Sequence, residues 1–343
     1  MAIMANAKWY EEDGRNLDVV LSSKAVIVRN LKGYKFPGMM DVNEKDEVIG
    51  KVKDALADLN LELISMEGIA GNTLDDLTDS QLISDFNLVE DSEGKAVMTD
   101  ASRDLAVILN NNDHIKIKAQ ASGYTNSVYK MCENVAVELE KKLDIAFSSR
   151  YGYLGSSVYN TGLGFKLMFT IAIPGIARTG DGLDVLTRKV KAHDWNIYPF
   201  IKSDKSIKGD VYIISSNAAL GTDEASVLMT GDKLIQDIIK IELLCRENLR
   251  KNRNDLLENS FYRSYGILYY SKSVDPLEAL DLLGWIRLYH GYEDRTEVDI
   301  NWTQINTITS QLLWQIYPGS VSGNRQSDVK YTAARIAAVL KRK

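Results

Sequence analysis

Cysteine, histidine and proline are scarce in this chain of 343 residues: two, three and five respectively. The two cysteines, Cys132 and Cys245, have no metal-ligand spacing and fall in helix-like segments, so reduced, mostly buried thiols are expected. His193 and His290 stand alone, and no His/Cys/carboxylate cluster suggests a metal. With few prolines and no low-complexity tract, no linker announces itself, and one large domain or two unequal ones are both open. No apolar run approaches the ~20 residues that span a bilayer. The opening MAIMANAKWYEEDG lacks the basic and apolar regions of a secretory signal, so a cytoplasmic protein without a membrane is expected. Positive charge is not in surplus either. A net charge of -6 and a pI near 5.3 argue against a protein that tracks nucleic-acid phosphates.

What is present is an ordinary soluble composition, 45% hydrophobic and 26% charged, in a chain long enough to bury a sizeable core. Val26 to Val28, Leu61 to Ile64, Leu105 to Leu109, Ile115 to Ile117 and Phe165 to Ile173 read as strands, followed by Trp195 to Phe200 and Val211 to Ser215. Asp46 to Leu59 and Tyr129 to Phe147 carry apolar residues at helical spacing. The pattern is α+β around one large sheet. After Gly221 it changes: Thr222 to Leu257 reads as one long helix, and Pro276 to His290, Trp302 to Tyr317 and Gln326 to Lys343 as three more. A sheet domain over 1–257 and an all-helical domain over 258–343 are therefore expected. Asp41-Val42-Asn43 is a helix start rather than a calcium loop, and Gly162 to Lys166 enters a strand, unlike a phosphate-binding loop.

The stretch NNNDHIKIKAQ, Asn110 to Gln120, opens an alternating run with three asparagines, an aspartate and a histidine. Leu105 to Asn110 can run as one strand, Asn111 to Asp113 as the turn, and His114 to Gln120 as the return. Asparagine and aspartate suit turns for purely structural reasons. The company of this stretch adds a second reading. DVVLSSKAVIVRN from Asp18, GYLGSSVYNTGLGFKLMFTIAIPG from Gly152, GDVYIISSNAALG from Gly209 and RSYGILYYSKSVDPLEALDLLGWIRL from Arg263 follow in order. Together they resemble bacterial protein arginine kinases of the McsB type, in the ATP:guanidino phosphotransferase family, from about Trp9 to near the carboxyl terminus. The resemblance implies a large, mostly antiparallel sheet flanked by helices, the guanidino kinase/glutamine synthetase-like catalytic domain, plus a C-terminal all-helical domain.

The chemistry implied is phosphoryl transfer from MgATP to a guanidinium nitrogen. It needs forked cations around the phosphates and carboxylates that grip the guanidinium and take its proton. Where the family reads N-E-E-D-H, this chain has Asn111 and Asn112 for the two glutamates; Asp113 and His114 remain as the only candidates for a base. An amide keeps hydrogen-bonding capacity but has no useful proton affinity. The phosphate side departs in the same way. Family S-S-R-I-R is Ser22, Ser23, Lys24, Ala25 and Val26, and two further arginine positions hold Lys116 and Lys166. The R-G-x-Y-G-E segment is Tyr198 to Ser203, with Lys202 inside it. Ser157 stands for the cysteine of C-P-T-N and Gln81 for the histidine of H-L-I-S. Of the R-D-x-x-R-A motif that reads phosphoarginine, only Asp328 survives.

Lys24, Lys116 and Lys166 are open to two readings, loose retention of a phosphate or acidic segment and solvent-facing residues in a cleft that no longer works. The expectation is a catalytically impaired kinase homologue that binds or regulates a protein. The alternative is an active kinase using lysines for arginines with Asp113 or His114 as base, and a purely structural subunit is a third. No cofactor is expected unless MgATP binding persists. The resemblance implies as partners an active protein arginine kinase, its zinc-finger adaptor or a Clp ATPase system, with a homodimer as the self-associated form and no nucleic acid.

Overall fold

The computed structural model describes residues 8–81, 83, 87–201, 209–217, 221–290, 298–316 and 328–340. Its strands are β1 (Val20–Arg29), β2 (Glu62–Ser65), β3 (Ala96–Thr99), β4 (Leu105–Leu109), β5 (Ile115–Ser122), β6 (Phe147–Ser148), β7 (Gly152–Tyr153), β8 (Phe165–Ala172), β9 (Trp195–Pro199) and β10 (Val211–Ser216). Its helices are α1 (Val42–Ala55), α2 (Gly71–Asp79), α3 (Asn87–Glu90), α4 (Ser127–Lys142), α5 (Pro174–Ala177), α6 (Gly182–Ala192), α7 (Glu224–Tyr270), α8 (Pro276–Tyr289), α9 (Trp302–Ile316) and α10 (Val329–Val339). Eight strands make one sheet in the order β2-β3-β4-β5-β1-β8-β10-β9, every pair antiparallel; β6 and β7 form a small separate hairpin.

Alternation divides the sheet into two chemically different faces. Ala25 and Ile27 of β1, Ile117 and Ala119 of β5, and Phe165, Leu167 and Phe169 of β8 belong to the main core beside buried residues of α1, α4 and α7. On the opposite face, Ile64, Val97, Ala106 and Ile108 of β2 to β4 form a smaller core with Leu77 of α2 and Leu88 of α3. Beyond β4 that second face becomes polar. A third apolar cluster joins Leu257 and Phe261 of α7 to α8, α9 and α10.

Capping follows ordinary rules. Asp41 caps α1 in a reciprocal box with Glu44, and Asp275 caps α8 just before Pro276. Two buried arginines tie the helices to the chain before β1. Arg246 pairs with Glu242 at 2.7 Å and donates to the Asp18 carbonyl, while Glu242 accepts the backbone N–H groups of Gly175 and Ile176 at 2.8 Å each. Any side chain at Gly175 would meet Arg246 and Glu242 at about 3 Å, so this close approach requires glycine. Arg287 donates to the Leu17 carbonyl and the Asn306 side chain, and its complete burial lowers its pKa to about 9.

Several boundaries differ from the sequence reading. The long helix does not stop at Leu257. Leu257, Phe261, Ser264 and Leu268 continue the buried stripe to Tyr270, and a local break at Arg253 (φ -146°, ψ 36°) absorbs the change of direction. β1 begins at Val20, well before Val26, because its polar Ser22, Ser23 and Lys24 are paired on both sides. β3 was not anticipated: all four of its residues are buried, so it lacks the alternation that marks a half-exposed strand. The helix predicted from Asp46 to Leu59 runs Val42–Ala55 before a single 3-10 turn, and the last helix is Val329–Val339 rather than Gln326 to Lys343. Cys132 is buried and Cys245 half-buried, both as free thiols.

Phe169 anchors the main core, fully buried and stacked on Trp195 with ring centroids 6.1 Å apart. Phe169→Ala is expected to cost about 3–5 kcal/mol in urea unfolding of the otherwise intact chain. A loss below about 1 kcal/mol would contradict the packing described above.

Candidate functional site

The turn between β4 and β5 forms one wall of an open pocket of about 820 Å³, faced by the β1–α1 loop and the loop that follows β7. Asn110 takes a left-handed backbone (φ 56°), and its side-chain amide donates to the carbonyls of Lys45 and Gly94 at 2.9 and 3.0 Å. β4 therefore ends at Leu109, in agreement with the strand read from Leu105 to Leu109. Asn111 and Asn112 line the pocket, the first buried and the second exposed, with Ser157 and Asn160 across from them.

Asp113 does not face this pocket as a base. It is fully buried, and its carboxylate accepts from the Asn30 side chain at 2.8 Å, the Ser156 backbone N–H at 2.7 Å and the Asn160 side chain at 2.9 Å. Asn30 also donates to the Leu154 carbonyl, and its Oδ1 accepts from the His114 backbone N–H. One carboxylate and one amide thus knot β1, the β4–β5 turn and the 154–160 loop together. His114 is equally committed: Nδ1 accepts from the Leu31 N–H at 3.1 Å, which makes Nε2 the protonated nitrogen, 2.7 Å from the Lys35 carbonyl. Burial lowers its pKa, opposed by the Lys35 carbonyl and the charge of Asp113. Both ring nitrogens are in use.

From this pocket the polar face of the sheet runs along β5. Lys116, Lys118 and Gln120 alternate on that face, a span of roughly 13 Å between first and last at ~3.3 Å per residue. Antiparallel register sets Lys24 beside Gln120 and Met168, and places Val26 between Lys118 on one side and Lys166 on the other. Four lysines therefore converge around Val26. Desolvation lowers the pKa of Lys166, and the like charge of Lys116 adds to the effect. At the far end Lys24, Ser22 and Gln120 border a cleft of about 240 Å³, closed by Trp9 of the amino-terminal 3-10 turn and by Ser310, Leu313 and Trp314 of α9. Hydrogen bonds hold this roof in place: Trp9 Nε1 to the Ser80 carbonyl, Gln81 Nε2 to the Ser310 carbonyl, and Thr307 Oγ1 to the Tyr10 carbonyl.

The family profile described as ATP:guanido phosphotransferase, C-terminal catalytic domain, matches residues 45–244, more than half of the chain. The chain belongs to this family. It is 27% identical to a protein-arginine kinase of Pelotomaculum thermopropionicum over 292 residues, which cover 83% of this chain and 82% of that protein. It is 28% identical to a protein-arginine kinase of Bacillus cereus over 337 residues, 95% of this chain and 94% of the other. Among solved structures, the substrate-free duplicated taurocyamine kinase of Schistosoma mansoni superposes with a TM-score of 0.59 at 18% identity over 71% of this chain, which spans 36% of that duplicated chain. A lombricine kinase gives 0.56 at 18% identity, covering 66% and 67% of the two chains. These last likenesses establish the guanidino-kinase fold.

The remaining sequence candidates divide between the two ends of this guanidino-phosphotransferase face. Ser22, Lys24, Gln81 and Tyr198 line the roofed cleft, whereas Asn111, Asn112 and Ser157 line the open pocket; Lys116, Val26 and Lys166 lie on the strands between. Ser23 points to the opposite face, where its hydroxyl bonds the Gly123 carbonyl. Lys202 lies outside the described residues. Asp328 caps α10 by accepting the N–H groups of Lys330 and Tyr331, a helix-terminus role. Sequence reasoning missed Asn30 and Lys118. The second was detectable, since the K-I-K spacing in IKIKAQ puts Lys118 on the face of Lys116. Asn30 carried no local signal, because its partners lie 83 or more residues away.

Asp113→Ala should release the 154–160 loop and leave two amides and a backbone N–H without their acceptor. The expected result is faster amide exchange at Ser156 and Asn160 and roughly 1–3 kcal/mol of lost stability. Unchanged exchange there would mean that the carboxylate does not hold the loop. Because the folded-state pKa of His114 is depressed, its neutral form contributes stability that is complete above about pH 6.5 and declines as pH falls below it. His290, drawn down to about 4 by burial, acts in the same direction. His114→Gln is therefore expected to flatten, without abolishing, the fall in melting temperature on acidification from about pH 6.5; an unchanged slope would refute the assignment.

Proposed function

We propose that this protein is a catalytically impaired homologue of protein-arginine kinases that works as a regulatory or protein-binding subunit. One observation carries the reading: no carboxylate or imidazole is available as a base among the described residues at the β4–β5 turn. Asn111 and Asn112 hold the positions where the resemblance puts glutamates, and both Asp113 and His114 are occupied by structural hydrogen bonds. Loss of general-base assistance alone costs roughly 10²–10⁴ in rate. The opposite end supports the same conclusion. Among the described residues its cleft presents Lys24 and no carboxylate, is roofed by two tryptophans, and at about 240 Å³ falls below the ~300–1,000 Å³ of ordinary ligand pockets. These walls fit MgATP poorly.

The lysine row favours a second reading, an active kinase that holds nucleotide phosphates with Lys24, Lys116 and Lys166 in place of arginines. Lysine is a point charge without the two-pronged geometry of guanidinium, so this reading asks more of the same residues. A protein-binding role is supported by apolar surface beside the open pocket, where Val158 and Tyr159 are 82% and 76% exposed. An active protein-arginine kinase, its adaptor, a Clp ATPase system and a second copy of this chain are the partners proposed, in a cytoplasmic setting. No helix among the described residues is long and apolar enough to cross a membrane.

Incubation of the purified chain with radiolabelled MgATP and an arginine-rich protein is expected to leave arginine unlabelled. Label at ordinary kinase turnover, about 1–100 s⁻¹, would overturn the proposal. Asn111→Glu with Asn112→Glu should restore little by itself, and adding Lys24→Arg, Val26→Arg, Lys116→Arg and Lys166→Arg should still fall short without Tyr198→Arg, since catalytic groups act as a unit. Substantial turnover from the two glutamates alone would show that the phosphate side is intact.

A further inference from the structure

Acidic residues are unevenly spread along the chain. Residues 54–94 hold eleven aspartates and glutamates and no lysine, arginine or histidine, so all 41 Lys and Arg lie outside them. Within this stretch runs β2, the terminal strand of the eight-stranded sheet, which pairs with β3 and has no strand on its other side among the described residues. Such an edge presents backbone N–H and C=O groups with which another extended segment can pair. It lies three strand spacings, roughly 14 Å, from β5, and none of its residues lines the open pocket or the roofed cleft.

Alternation gives the two sides of this strand different chemistry. Leu61, just before it, and Leu63 pack against the main core, whereas Ile64 belongs to the smaller core with Leu77 of α2. Glu62 shares the Ile64 side, where Arg103 pairs with it at 2.8 Å and with Asp76 of α2 at 2.9 Å. Lys8 also pairs with Asp76, and Lys142 with Asp58. These cations come from outside the acidic stretch and do not exhaust it. Glu62 and Asp58 keep 60% and 83% of their side-chain surface exposed. Glu67, two residues beyond the strand, and Asp75, next to Asp76, are exposed and enter no ion pair among the described residues.

Charge decides what can pair there. A second copy joined edge to edge about a two-fold axis would set the same carboxylates against one another. Opposite charges facing each other across strands are favourable, and like charges are not. We propose that the β2 edge takes up an extended basic segment of another protein as an added strand. A lysine or arginine of that segment lies beside Glu62, an aliphatic residue beside Leu63, and further cations reach toward Glu67 and Asp75. The interaction is independent of phosphoryl transfer, since it uses no residue of the sheet's lysine-bearing face.

Fluorescence anisotropy of the full chain with a labelled hexapeptide alternating lysine and valine tests this, with its fully N-methylated analogue as the control for charge alone. The hexapeptide should bind and slow amide exchange in β2, and the N-methylated analogue should bind at least about tenfold more weakly, because strand addition depends on main-chain hydrogen bonds. Glu67→Lys with Asp75→Lys, or Glu67→Gln with Asp75→Asn if the melting temperature of the first pair falls, should weaken the hexapeptide by about tenfold or more. Equal binding of the two peptides would reduce the site to charge attraction and overturn the proposal. Unchanged affinity in the variants, or unchanged exchange in β2, would place the peptide elsewhere and also overturn it. No binding at all would mean that the carboxylates only keep this edge from pairing, which is the contrary of what is proposed.

Discussion

The two-residue alternation of β1, paired on both sides along most of its length, is the constraint from which the rest of this molecule follows. Ala25 and Ile27 must face the helices because their neighbours on β5 and β8 do, and that leaves Ser22, Lys24 and Val26 on the other face with Gln120, Lys118, Met168 and Lys166. A one-residue slip would drive lysines into the main core and aliphatic residues into the cleft, so burial on one side enforces chemistry on the other. The polar face is a consequence of core packing as much as of ligand binding.

The Asp113 knot gives the D-H pair a part in holding the fold together. In the D-H pair, the carboxylate orders a loop and the imidazole bridges Leu31 and Lys35, roles that need a hydrogen-bond acceptor and a fixed tautomer rather than proton transfer. Of the preceding asparagines, Asn110 ties the turn to the Lys45 and Gly94 carbonyls, while Asn111 and Asn112 line the open pocket. An amide at such a position keeps hydrogen-bonding capacity without the charge of a carboxylate. Guanidino-kinase architecture and a non-catalytic role are compatible for this reason.

Much of the fold was legible along the chain. The strands at Leu105, Phe165, Trp195 and Val211 and the helices after Gly221 carry strong periodicity, and their types agree with the structure. β3 was hidden because a strand buried on both faces does not alternate, and α7 was cut short because charged residues around Arg253 obscured a stripe that resumes at Leu257. The candidate site was legible in part. Adjacent asparagines and the K-I-K repeat lie in one short stretch, whereas the roof over Lys24 joins Trp9, Gln81 and Trp314, residues no local pattern relates.

The sequence by itself determined the α+β class, the family resemblance and the presence of asparagine and lysine where that resemblance places acidic residues and arginines, since these are matters of residue identity and spacing. Tertiary structure decided that Asp113 and His114 are structural groups, that Lys118 and Lys166 bracket Val26, and that α9 with the amino-terminal turn closes one end of the face. Each of these depends on hydrogen bonds or strand pairings between residues far apart in the chain, and such partners are selected by the packing of the whole core rather than by any segment's own propensity.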